Sequence, residues 1–264
     1  MKIALLQFCA GLDKAANLSK ALTLSQEAIG RGAEFILLPE VFNFRGVGGN
    51  NELIEKAAEK IPGPSSDAFA PLAKKYNVSF LLGSILEKAP NAYTYNTSVF
   101  IDTQGSIAAK YRKIHLFDAL IDDKITREAD YLRAGTRPAT ARIGKFRMGL
   151  SICYDLRFPE LYQNYARKGV EILTVPSCFT KKTGQAHWEA LLRARAIENL
   201  SYVLAPAQVG IDAGGMQAYG HSMIVSPWGK VIGLGSAEKE EIIFGVISME
   251  EVCKARQALP GIIK

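Results

Sequence analysis

The segment Phe146-Arg147-Met148-Gly149-Leu150-Ser151-Ile152-Cys153-Tyr154-Asp155-Leu156-Arg157-Phe158-Pro159-Glu160 joins an apolar half to a polar half, with a cysteine at the join. Residues 146–152 read as a buried strand. Pro159 suits the first turn of a helix, where a missing N–H costs nothing. A buried strand feeding a helix is the unit of a parallel sheet, and ligands of such sheets bind beyond the carboxyl ends of the strands. Cys153 stands at that end. The ordinary role of a free cysteine is a small buried hydrophobe, and the corner alone does not displace it. A helix N-terminus there would favour the thiolate and lower the thiol pKa.

Strand-like and helix-period stretches alternate outward from this corner. Residues 2–8 and 34–38 read as buried strands, and 15–31 as a helix closed by Gly30 and Gly32. Ser65 or Ser66 can cap a helix running to Tyr76. Residues 79–86 and 96–102 are β-rich, and 172–175 form another strand. A helix is expected over 186–200 and a last one over 249–259. Residues 202–209, 221–225, 230–234 and 242–247 are strand-like. The early alternation predicts a parallel core and the later strands antiparallel additions. Residues 45–50 form a glycine-rich loop, and 114–138 read as a long irregular stretch of the kind that carries function. With no Pro/Gly/Ser linker and no repeat, residues 1–264 are expected to form one domain.

Composition narrows the partners. The 264 residues are 48% apolar and 22% charged with a net charge of +6, which excludes collagen-like, disordered and disulfide-scaffold chains. Basic residues are scattered, without the stripe and aromatic platforms of a nucleic-acid surface, so no nucleic-acid partner is expected. No C-x-x-C spacing links Cys9, Cys153, Cys178 and Cys253, and only His115, His187 and His221 could join them. No metal site is expected. Residues 1–10 are too interrupted for a secretory signal, and no stretch approaches a membrane span. A cytoplasmic location is the expectation, with no membrane partner.

Two further side chains fit the corner. Glu40 follows the apolar run Phe35-Ile36-Leu37-Leu38-Pro39, and desolvation at a sheet edge would suit a carboxylate to base catalysis. Lys113, in Lys110-Tyr111-Arg112-Lys113-Ile114-His115, would stabilise an oxyanion if buried. Taken singly, a solvated loop glutamate is the better reading of Glu40, and a basic surface turn accounts for Lys113.

Taken in order, Leu37-Leu38-Pro39-Glu40, Tyr111-Arg112-Lys113-Ile114-His115-Leu116 and Ile152-Cys153-Tyr154-Asp155-Leu156-Arg157-Phe158-Pro159-Glu160 resemble the three signature blocks of the carbon–nitrogen hydrolase, or nitrilase, superfamily. Tyr95-Asn96, His187-Trp188-Glu189, residues 193–199, Gly220-His221-Ser222 and Ser226-Pro227-Trp228-Gly229 extend the resemblance over nearly the whole chain. It implies an α/β fold, a four-layer α-β-β-α sandwich, paired as a homodimer or higher homo-oligomer. It implies a Cys153 nucleophile, a Glu40 general base, a Lys113 cation and the Tyr154 backbone N–H at an oxyanion, with no cofactor. Glu128, in Thr126-Arg127-Glu128-Ala129-Asp130, matches a second glutamate of many members. Asp122-Asp123 stand where the usual Pro-Gly is lacking, and Asp130 competes for the role.

The resemblance is nearest to two small-amidase branches. One acts on deaminated glutathione, the other (the omega-amidases) on α-ketoglutaramate and α-ketosuccinamate. Residues 183–189, 191–198, 207–208 and 219–223 look closer to the first. A small-molecule amide bearing carboxylates is the expected partner, with Arg157 the candidate cation and Phe179, Thr180 and Thr183 lining the pocket. Two alternatives stay open: a Cys153–His221 dyad and a non-catalytic dimeric binding protein. Arg195 reads first as part of a structural ion network and second as a substrate-binding residue.

Overall fold

The computed structural model describes residues 1–46, 50–90, 93–121 and 124–261. In chain order the strands are β1 (Lys2–Gln7), β2 (Phe35–Leu37), β3 (Ser79–Lys88), β4 (Thr94–Ile101), β5 (Ile107–Arg112), β6 (Asp118–Ile121), β7 (Lys124–Arg127), β8 (Ala139–Ile143), β9 (Phe146–Leu150), β10 (Ile172–Thr174), β11 (Tyr202–Ala205), β12 (Met223–Val225), β13 (Val231–Leu234) and β14 (Glu241–Val246). The α-helices are α1 (Lys14–Gly30), α2 (Asn51–Ala57), α3 (Pro64–Tyr76), α4 (Pro159–Arg167), α5 (Lys181–Asn199) and α6 (Met249–Ala258). Two six-stranded sheets run β14-β1-β2-β3-β4-β5 and β13-β12-β11-β10-β9-β8. The β1-β2-β3 and β9-β10-β11 pairs are parallel, and the outer additions are antiparallel. The parallel core is as the alternation predicted, but antiparallel pairing is not confined to the later strands: β4 and β5 add to the first sheet antiparallel, and β11 pairs parallel with β10.

Alternation along β1 and β2 builds the layers. Ile3, Leu5, Phe35 and Leu37 enter the apolar cluster that also holds Met148, Leu150, Leu173 and Leu204 of the second sheet. Ala4, Leu6, Ile36 and Leu38 face the other way, onto Ala21 and Ala28 of α1 and Phe69 and Ala73 of α3. Tyr162 and Tyr165 of α4 and Trp188 and Leu192 of α5 cover the second sheet. The result is the expected α-β-β-α sandwich. Strands buried on both faces lose the polar half of the usual alternation, which is why they read as continuous apolar runs.

Several boundaries move. α5 begins at Lys181, five residues before the expected start, and the hydroxyl of its cap residue Thr180 accepts the Thr183 N–H. Gly184 lets the Tyr219 ring lie against that first turn. Gly63, rather than Ser65 or Ser66, is the cap residue of α3, and Ser66 Oγ accepts the Gly63 N–H at 2.9 Å. The stretch 114–138 is not wholly irregular: it holds the β6–β7 hairpin and a 3₁₀ turn, Glu128–Asp130. Val47–Gly49 of the glycine-rich loop and Asp122-Asp123 lie outside the described residues.

Gly83 connects this architecture to the site. It lies in β3 where the pairing with β4 shifts register. A Cβ there would collide with the carbonyl oxygens of Leu38 and Pro39. Only a bare backbone lets the chain leave β2 across β3 and deliver Glu40. Ser84 supports the same crossing by accepting the Val41 N–H at 2.9 Å. We expect Gly83→Ala to lower stability by roughly 1–3 kcal/mol, as overpacking does. The check is the urea midpoint at constant m; an unchanged midpoint would refute this close approach.

Candidate active site

Strand ends from both sheets deliver the predicted residues to one place. Glu40 lies just beyond β2, Lys113 directly follows β5, and Cys153 follows β9. The chain is left-handed at Val41 (φ 46°) and at Cys153 (φ 49°). Such conformations cost of order 1–3 kcal/mol each in non-glycine residues and persist where surroundings over-determine them. At Cys153 the surroundings include the Pro176 carbonyl, which accepts its N–H at 3.0 Å.

Lys113 is the centre of the cluster. Its side chain is 1% exposed, and Nζ donates to Glu40 Oε1 at 3.0 Å and to Glu128 Oε1 and Oε2 at 3.1 and 2.9 Å. Burial alone would discharge the ammonium, but the Glu128 and Glu40 carboxylates outweigh it and raise the lysine well above its ordinary pKa. Glu128 is steadied by the Phe117 N–H at 2.7 Å. Burial pushes its carboxyl up, Lys113 opposes that, and the Glu40 charge adds to it. Glu40 Oε1 also accepts from Asn96 Nδ2 at 2.9 Å, and the Glu40 carbonyl accepts from Gln208 Nε2 at 2.8 Å.

The Cys153 thiol differs from expectation. Burial and the neighbouring Glu40 carboxylate raise its pKa well above the ordinary value; the Lys113 charge and a hydrogen bond from the Cys178 backbone only partly oppose them. The anticipated helix N-terminus is a short 3₁₀ turn, Cys153–Arg157, with α4 starting at Pro159. That turn is too brief to outweigh burial beside a carboxylate. Cys153 therefore rests as a thiol beside a carboxylate.

A cavity of about 400 Å³ opens onto these groups, and its wall includes all nine residues named from the sequence: Glu40, Lys113, Glu128, Cys153, Tyr154, Arg157, Phe179, Thr180 and Thr183. The half-buried Arg157 guanidinium lies 5.3 Å from the Phe179 ring and 5.6 Å from the Tyr154 ring, with Nη1 at 3.2 Å from His187 Nδ1. Asp130, the competitor of Glu128, lines the same cavity, but it is Glu128 that meets Lys113.

Other readings separate here. His221 lies outside the cavity wall. Its Nδ1 is 2.7 Å from the Tyr219 carbonyl and its ring stacks on Tyr219, so it does not pair with Cys153. Arg195 grips the Leu156 carbonyl through Nε and Nη2 at 3.1 and 2.8 Å and meets Glu198 at 2.7 Å, the structural network anticipated for it. Asn96, Arg45, Asp212 and Met216 also line the cavity and had no role from sequence. Asn96 stood inside a quoted block, but nothing along the chain shows that it would reach Glu40. Among the described residues no three His, Cys, Asp or Glu side chains gather as a metal cluster.

The carbon–nitrogen hydrolase family model matches residues 2–257. The chain belongs to the carbon–nitrogen hydrolase family. An omega-amidase of Homo sapiens is 38% identical over 260 residues, covering 98% of this chain and 92% of that protein. A deaminated glutathione amidase of Dictyostelium discoideum is 38% identical over 266 residues, covering 98% and 91%. This chain spans 59% of the nitrilase and fragile histidine triad fusion protein of Caenorhabditis elegans, at 39% identity. Among solved structures, the Saccharomyces cerevisiae member of branch 10 of the nitrilase superfamily superposes with a TM-score of 0.89 at 33% identity, covering 99% of this chain and 94% of that one. Membership makes the chain a hydrolase of non-peptide C–N bonds.

The charges around the thiol have opposite signs, so removing them should move it in opposite directions. Glu40→Gln should lower the Cys153 pKa, and Lys113→Gln should raise it. The measurement is thiolate absorbance at 240 nm against pH, as the difference from Cys153→Ala in the same background. Shifts of the same sign in both variants would contradict the geometry.

Proposed function

We propose that the protein is an amidase that cleaves its substrate through a Cys153 thioester, with deaminated glutathione as the substrate. The observation that carries this reading is the buried ammonium of Lys113, held by Glu40 and Glu128 in the cavity that Cys153 lines. Glu40 takes the thiol proton as Sγ bonds to the amide carbon. Lys113 and the Tyr154 N–H, in the first turn of its short helix where amides lack an intrahelical acceptor, receive the negative oxygen. The C–N bond breaks as protonated Glu40 gives its proton to the leaving nitrogen. Glu40 then removes a proton from water, the hydroxide attacks the thioester, and the acid leaves as sulfur regains the proton. Glu128 orients Lys113, a positioning task that suits its two-oxygen contact.

Deaminated glutathione would leave α-ketoglutarate and cysteinylglycine, so the leaving group is an amine. Its carboxylates need a cation, and Arg157 at the cavity wall supplies one, with Phe179, Thr180 and Thr183 shaping the pocket. An omega-amidase acting on α-ketoglutaramate is the second reading, favoured by the equal 38% identity to a protein of that name. One catalytic domain over residues 1–264, a homodimer or higher homo-oligomer and a cytoplasmic location complete the proposal. Among the described residues no helix is long and apolar enough to cross a membrane.

Turnover decides between these. At equal concentrations of the two keto-acid amides, cysteinylglycine release should exceed ammonia release. The reverse order would make the protein an omega-amidase, and inactivity on both amides and on simple amides would leave a binding protein. Cys153→Ala and Glu40→Gln should each lower kcat by at least about 10³-fold while remaining folded. Arg157→Ala should raise KM for the carboxylate-bearing amide by roughly 10–100-fold, the worth of a charge-assisted hydrogen bond. An unchanged KM would remove Arg157 from the site.

A further inference from the structure

Lys113 belongs to the end of the first sheet and Cys153 to the end of the second. What lies between the sheets is mostly hydrocarbon, and apolar contact has no preferred direction. Two sheets packed this way can settle at slightly different offsets, yet an oxyanion cation must stand within a hydrogen bond of the atom that the nucleophile attacks. Nor can the side chain of Lys113 set that distance alone, because Glu40 and Glu128 both draw the ammonium toward themselves.

Asp155 supplies what is missing. It is fully buried and lines neither the cavity nor its mouth. Its Oδ2 accepts from the Tyr111 hydroxyl at 2.8 Å and from the Ile152 N–H at 2.9 Å. Its Oδ1 accepts from the His115 N–H at 3.0 Å and lies 2.7 Å from His115 Nδ1. Tyr111 and His115 stand two residues on either side of Lys113, while Ile152 immediately precedes Cys153. One carboxylate thus binds both flanks of the lysine to the strand end that bears the nucleophile. We propose that Asp155 is the positioning residue that sets the separation of Lys113 from Cys153, through Tyr111 and His115 on one side and Ile152 on the other.

The chemistry of the donors supports a carboxylate here. Its two oxygens offer about four acceptor sites, matching the four polar atoms around them, whereas an amide has one acceptor oxygen and two donors of its own. Burial and the Asp155 charge raise the Tyr111 phenol well above its ordinary pKa, so it remains a protonated donor. The His115 ring is further fixed by stacking on Phe158, 3.7 Å between centroids and 6° between planes. Arg195, on the Leu156 carbonyl, holds the far side of the same turn.

The turnover arm of the test rests on the amidase reading; the alkylation arm does not. Asp155→Asn, Tyr111→Phe and His115→Gln are compared with Leu192→Val, a core change away from the cavity that controls for lost stability. Expected for the first three is a kcat reduced by about 10–100-fold, as for a misplacement of about 1 Å, with KM within about 2-fold of the parent. Alkylation of Cys153 by iodoacetamide should also shift to higher pH, because the Lys113 charge no longer bears as closely on the sulfur. Leu192→Val should change neither. If Asp155→Asn does not fold, the other two variants decide. If the parent protein cleaves no amide, the alkylation profile decides alone. A kcat per alkylatable site and an alkylation profile both equal to the parent's, in folded Tyr111→Phe and His115→Gln, would overturn the proposal.

Discussion

An ammonium enclosed by protein is the interaction on which this site depends. Moving Lys113 out of water is costly, and the cost is offset only while partners surround it. Two carboxylates within about hydrogen-bond distance do so, and they leave an excess of negative charge beside the thiol. Burial first, and the Glu40 carboxylate with it, keeps Cys153 protonated. In the proposed reaction this protonated state suits a nucleophile that forms its thiolate only as the substrate carbonyl arrives, when the developing oxyanion takes over part of the lysine's charge. On the proposed mechanism the same groups hold the resting state neutral at sulfur and favour charge on the substrate oxygen.

Such a site needs two sheets to agree in position. Buried polar side chains give the apolar sandwich a fixed offset. Gln208 accepts the Ala10 N–H at 3.0 Å and donates to the Glu40 carbonyl, tying Glu40 to the second sheet. Gln7 of β1 accepts the Ser222 N–H and donates to the Ser236 carbonyl, both at 2.8 Å. Each of these amides is fully buried with both ends satisfied, the condition under which a buried polar group specifies rather than destabilises. Asp155 plays the corresponding part for the lysine. The left-handed backbone at Val41 and Cys153 is tolerated because these ties over-determine it.

Much of this was legible in the sequence, for identifiable reasons. β1, β2 and β9 are buried on both faces, so their apolar runs announce them. β5 and β8 close the edges of their sheets and alternate small or charged residues, a weak signal that a linear reading passes over. α2 has seven residues, too few for a helical period to stand out. Glu40, Lys113 and Cys153 are unremarkable one by one; only their order as signature blocks selects them. The ties to Asp155, Asn96 and Gln208 depend on side chains meeting across the sandwich, and no spacing along the chain encodes that. The resting state of the thiol is not legible in the sequence, because the short turn after it and the depth of its burial are three-dimensional facts.

The account comes down to whether the amide bond breaks through a covalent bond to one sulfur. Acid-quenched enzyme taken during turnover of a keto-acid amide, digested and read by mass spectrometry, tests this most directly. An acyl group confined to the peptide containing Cys153, and gone once substrate is exhausted, is the predicted result. Sustained hydrolysis with no acylated peptide, retained in Cys153→Ser, would contradict it.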